Sequence, residues 1–132
     1  MIRKLAALLL TAVLLGAALA QEPVTFYTAG PAGLANGLAT AFTAATGIPV
    51  EVYQATSGDV LARLEAERTN PRADVIVLAS WGEGIDLERR GFVAQYVSPE
   101  AEFVQPGWSE GGLTAQGGAA LAIIVNTLEV SE

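Results

Sequence analysis

The chain has no cysteine and no histidine, and its only lysine is Lys4. The absent cysteine excludes disulfides, thiolate metal sites, cysteine nucleophiles and a lipid-modified cysteine behind a leader. The absent histidine removes both the commonest metal ligand and the usual general base near neutral pH. Basic charge is scarce, with seven Lys and Arg against fourteen Asp and Glu, a net charge of −7. Such a chain lacks the basic stripe that phosphate neutralisation needs, so nucleic acid is not an expected partner. Acidity by itself speaks to solubility rather than to any one partner.

The N-terminus is what the chain does have in a recognisable form. Arg3 and Lys4 precede the apolar run Leu5 to Leu19, and Ala18-Leu19-Ala20 is a small-residue cleavage pattern. This reads as an export signal removed after Ala20, which places the protein in the periplasm. The apolar run is short for a permanent span, which needs about 20 residues. No stable membrane span is therefore expected after cleavage. Loss of Arg3 and Lys4 takes the net charge from −7 to −9. The remaining length suits one small domain with a modest core.

From Gln21 onward the pattern alternates between strand and helix. Val24–Thr28 is β-rich and is broken by Ala29-Gly30-Pro31-Ala32-Gly33. Leu34, Leu38, Phe42 and Ala45 recur at helical spacing, and Gly47 and Pro49 end that helix. Val50–Tyr53 is a second strand. Thr56-Ser57-Gly58-Asp59 opens a second helix that Thr56 or Ser57 can cap, with Asp59 and Arg63 as an i,i+4 pair. Asn70-Pro71 ends it. Ala73–Leu78 is a third strand, and its apolar run Val75–Leu78 is of the kind covered on both faces in a parallel sheet. Ser80 and Glu83 fit a capping box for a third helix that stops at Gly91. Residues 99–118 read as Gly- and Pro-rich loop, and Ala119–Val125 as a fourth strand.

Strands are thus expected near 24–28, 50–53, 74–78 and 119–126, and helices near 31–46, 58–69 and 82–90. The expected fold class is α/β, a mostly parallel open sheet with flanking helices. In such sheets ligands bind beyond the carboxyl ends of the strands, where helices begin and present unpaired N–H groups. The candidate ligand-binding residues are Ala29, Gly30, Thr56, Ser57, Gly58, Ser80 and Trp81. Capping is the competing role for Thr56, Ser57 and Ser80, and core packing for Trp81. Gly30, Gly33 and Gly37 do not make GxGxxG, so a dinucleotide fingerprint fails. Asp74 has no acid–base partner in view and reads as a cap. No catalytic residue, metal site or cofactor is expected.

VTFYTAG, AFTAATGIPVEVYQATSGDVLARLEAERTNPRADVIVLAS and RRGFVAQYVSPEA together resemble the periplasmic substrate-binding proteins of bacterial ABC transporters. The nearest look is to the ferric-iron and phosphonate-type branch of the two-lobed binding proteins. The resemblance spans Val24 to Thr127. It implies capture of a small anionic solute, phosphonate-like or a metal–anion complex, and delivery to an ABC transporter permease.

Two departures qualify what the resemblance implies. Members of that family are much longer, and their chain crosses to a second lobe after the strand that resembles Ala119–Thr127. Residues 21–127 are accordingly expected to be the N-terminal lobe of a type II binding protein, and 128–132 the start of the crossing. The chain would then be a truncated form or a fragmentary gene model, folding marginally and holding no solute tightly by itself. The ferric branch also uses a His in the first loop and a Glu after the third strand, where this chain has Pro31 and Ala79. Two other classes stay open beside this one. A small secreted enzyme would show saturable turnover of simple esters or phosphates. A membrane-tethered interaction module would retain its leader.

Overall fold

The computed structural model describes residues 21–118. The expected leader, its cleavage site after Ala20 and the expected strand Ala119–Val125 lie outside the described residues. The chain divides into two compact units, one running to Ser80 and the other beginning at Trp81.

The first unit alternates strand and helix as expected. β1 is Val24–Thr28, α1 Ala32–Thr46, β2 Val50–Gln54, α2 Ser57–Ala66 and β3 Val75–Val77. The sheet order is β2-β1-β3, and both pairings are parallel. Thr28 stands opposite Gln54 on one side and Val77 on the other. This register brings the carboxyl ends of all three strands to one edge. β1 is central, so it supplies the core: Phe26, Tyr27 and Thr28 are buried, joined by Ala35 of α1 and by Val60 and Leu64 of α2.

Local chemistry sets the element ends. Gly47 closes α1 in the left-handed conformation, φ 76°, with its N–H on the Thr43 carbonyl at 2.8 Å. An L side chain is strained at that φ, which is why glycine stands there. Asp74 accepts from Thr25 N–H at 2.8 Å, and its own N–H goes to the Thr25 carbonyl at 2.9 Å. It is a structural clip between β3 and β1, the cap-type role expected of it.

Two expectations are corrected here. Asp59 does not pair with Arg63. It hydrogen-bonds Thr56 instead, and Arg63 bonds Glu67 at 2.9 Å while lying over the Tyr27 and Tyr53 rings. Facing tyrosines from two strands outcompete an exposed helical ion pair. The second correction concerns α1: Leu34, Leu38 and Phe42 share the expected face, yet they remain 46%, 40% and 39% exposed, while Ala35 is buried. The helix packs on β2 through small side chains.

The second unit holds α3 Trp81–Arg89, a 3-10 turn Pro99–Phe103, and a short hairpin of β4 Ser109–Glu110 and β5 Leu113–Thr114. α3 ends with Gly91 N–H on the Glu88 carbonyl and Phe92 N–H on that of Leu87, with Gly91 at φ 76°. This paired arrangement is a Schellman ending, and Gly91 ends the helix as expected. The hairpin lies in what the sequence presents as loop. Gly111 takes φ 58° at the first position of its two-residue turn.

Candidate functional site

The loops after β1, β2 and β3 leave the same edge of the first unit. After β1, Ala29 N–H is held by the Val77 carbonyl at 2.9 Å and Gly30 N–H by Thr28 Oγ1 at 2.9 Å. Two of the expected donors are therefore engaged internally, and the Gly30 carbonyl is left as the polar group of that loop. A Cβ at Gly30 would come within 3.2 Å of Thr28 Oγ1, so the close turn favours glycine.

After β2, Ala55 N–H continues the ladder to the Thr28 carbonyl at 3.1 Å, which draws the start of α2 against β1. Thr56 is the N-cap: its Oγ1 accepts from Asp59 N–H at 3.2 Å and donates to Asp59 Oδ2 at 2.7 Å. The capping role wins at Thr56, and its one hydroxyl proton is committed to Asp59. Ser57 is half-buried and Gly58 is exposed, both at the first turn of α2. After β3, Ala79 and Ser80 are exposed. Backbone geometry thus brings Gly30, Ser57, Gly58 and Ser80 to one edge. Trp81 opens α3 of the second unit, where it lines a depression with Ile85, Glu88, Arg89, Glu110 and Leu113.

Sequence reasoning missed what sits beneath this edge. Tyr27 and Tyr53 face each other across the β1–β2 pairing, with ring centroids 5.0 Å apart. The Arg63 guanidinium lies over both rings, 4.8 Å and 4.2 Å from their centroids. The Tyr27 hydroxyl donates to the Glu67 carboxylate, with its two oxygens 3.0 Å and 2.9 Å away. Burial pushes the Tyr27 phenol up, and its bond to Glu67 adds to the rise. Burial works to raise Glu67, but its bonds to Arg63 and Tyr27 outweigh that and hold the carboxyl below its usual range. The cluster pins α2 to the sheet and so fixes where its first turn stands. Tyr27 next to the end of the first expected strand and Tyr53 at the end of the second, with Arg63 on the following helix, were the available signal.

Gln54 was also passed over. It ends β2, is exposed, and donates from Nε2 to the Gly30 carbonyl at 3.0 Å. In the second unit Glu88 plays the organising part. Its Oε1 accepts from Gly112 N–H at 2.9 Å and from Gln95 at 2.7 Å. The Gly112 N–H, and then the Gln95 amide, hold the Glu88 carboxyl below its usual range against burial.

Among the described residues no three His, Asp or Glu side chains converge as a metal cage would require. No described helix is long and apolar enough to cross a membrane.

Comparison with known proteins bears on this geometry. A 39-residue stretch is 56% identical to a periplasmic protein of Salmonella typhimurium named for binding 2-aminoethylphosphonate, covering 30% of this chain and 12% of that protein. The Salmonella paratyphi A protein of the same name matches to the same extent. The crystal structure of iron-bound HitA from Pseudomonas aeruginosa superposes with a TM-score of 0.62 at 25% identity, over 70% of this chain and 30% of HitA. The matches thus span well under half the length of these proteins. The family of bacterial extracellular solute-binding proteins matches residues 24–124. With three parallel strands delivering their loops to one edge and that match running through both units, the chain belongs to the bacterial extracellular solute-binding proteins.

Proposed function

We propose that this chain is the solute-capturing part of an ABC import system and works in the periplasm, where it passes its solute to a membrane permease. The solute is a small anion, phosphonate-like or a metal–anion complex. The observation that carries this is the parallel register, which turns the loops bearing Gly30, Ser57–Gly58 and Ser80 to one edge of the first unit, where α1 and α2 begin. Helix N-termini favour negative charge through unpaired N–H groups and the macrodipole. The names of the Salmonella proteins and of HitA support a phosphonate or an iron-bearing solute respectively. The chain's lack of His favours the first. Binding rather than catalysis fits a rim of glycines and hydroxyls with no acid–base pair.

The test is an amide chemical-shift titration with methylphosphonate and with inorganic phosphate at constant ionic strength. Saturating shifts should gather at residues 29–30, 57–58 and 79–80. Ser57→Ala should weaken binding several-fold, since a hydrogen bond to a charged group contributes about 1.5–3 kcal/mol. Unchanged affinity after substituting both Ser57 and Ser80 would reject this site.

A further inference from the structure

The bond from Gln54 to the Gly30 carbonyl is a side-chain link between the first and second loops of this edge, across 24 positions of sequence. The carbonyl only accepts, so the amide nitrogen must face it. The surroundings explain why a donor is wanted there. Ala29 and Gly30 N–H are turned inward to Val77 and Thr28, and residue 31 is a proline with no N–H. Without Gln54 the Gly30 carbonyl would stand as a bare acceptor on the rim. A bare acceptor carries partial negative charge and repels an anion.

We propose that Gln54 is a positioning residue of the solute site. It caps the Gly30 carbonyl, holds the loops after β1 and β2 at one spacing, and screens that acceptor from an incoming anion. The inference rests on the anion-site reading above. Gln54 is exposed, so its replacement leaves the core untouched.

Two measurements on the full chain test it. The first uses no solute. In Gln54→Glu the ionised carboxylate faces the carbonyl with no proton to give. Below the ordinary glutamate range, about 4.3, the protonated acid regains a donor. The Gly30 carbonyl carbon shift should therefore titrate in Gln54→Glu and stay flat across that range in the wild type. A shift that ignores pH in the variant overturns the bridge. The second is the amide titration with inorganic phosphate at pH 7. Gln54→Ala should weaken binding about three- to tenfold, the usual weight of one hydrogen bond, and Gln54→Glu should weaken it further, with melting midpoints unchanged. A wild type that binds phosphate while Gln54→Ala binds equally well overturns the inference alone. A wild type showing no saturable shift with phosphate or methylphosphonate overturns the anion-site reading and this inference with it.

Discussion

Tyr27 ties the core to the helix that follows β2. Its ring is buried in the central strand, while its hydroxyl satisfies the Glu67 carboxylate at the end of α2, the helix whose first turn holds the proposed ligand residues. Tyr27→Phe keeps the ring but leaves Glu67 short of a donor in a partly buried place. A lost hydrogen bond to a charged group costs about 1.5–3 kcal/mol, so the urea midpoint should fall with an unchanged slope. No change in midpoint would mean that water replaces the hydroxyl at no cost. Glu67 and Glu88 should also contribute to the acid limit of stability. Both carboxyls lie below their usual range in the folded chain. Each therefore contributes stability fully above the unfolded glutamate value, about 4.3, and loses it as pH falls through the lower folded value. Glu67→Gln and Glu88→Gln should each flatten the decline of the thermal midpoint over that window. Equal slopes in wild type and variants would show that other carboxylates govern acid unfolding.

At the scale of elements, the start of α2 separates structural from ligand roles. The Thr56 hydroxyl is spent on Asp59. Thr56→Ala should lower stability by about 0.5–2 kcal/mol, the usual weight of an N-cap, yet leave phosphate affinity within twofold. An affinity loss as large as that of Ser57→Ala would place Thr56 in the site after all. The outline of the first unit was legible in the sequence because each element carried a boundary signal: Gly47 and Pro49 at the end of α1, Thr56 at the start of α2, Asn70-Pro71 before β3. The third strand was legible from the apolar run at 75–78, but its expected cover on both faces is not met, since Val75 is 47% exposed and Ile76 and Val77 are only half-buried. The β4–β5 hairpin was not legible, since two residues per strand give no alternation to read and glycines dominate the segment. The shared edge of the strand ends was legible from the strand–helix alternation, but not which of its donors are engaged. Capping donors and ligand donors are the same residue types, and only coordinates show that Thr56 and the Gly30 N–H are already engaged. The Tyr27–Tyr53–Arg63–Glu67 cluster escaped notice because its members come from three elements whose register no local pattern specifies.

The molecule as a whole carries more apolar surface than its core accounts for. Leu34, Leu38 and Phe42 follow one another at four-residue spacing down α1, each more than a third exposed, and Val75 on β3 is 47% exposed. Among the described residues β2 and β3 each pair on one side only, with β1. An unpaired edge and an apolar stripe are both templates for association. Against them stands a net charge of −7, which keeps copies apart at low ionic strength. Salt shortens the reach of that repulsion, from about 30 Å at 0.01 M to about 8 Å at 0.15 M, without weakening apolar contact. Self-association of the chain should therefore grow with salt as well as with concentration. Leu38→Glu tests the stripe directly. Glutamate is a good helix former, so α1 should persist by circular dichroism, while a charge now interrupts the apolar row at its centre. In sedimentation velocity the variant should stay monomeric at salt concentrations where the wild type has begun to associate. Equal behaviour of the two chains across the salt series would clear α1 of the role and leave the sheet edges as the surface responsible.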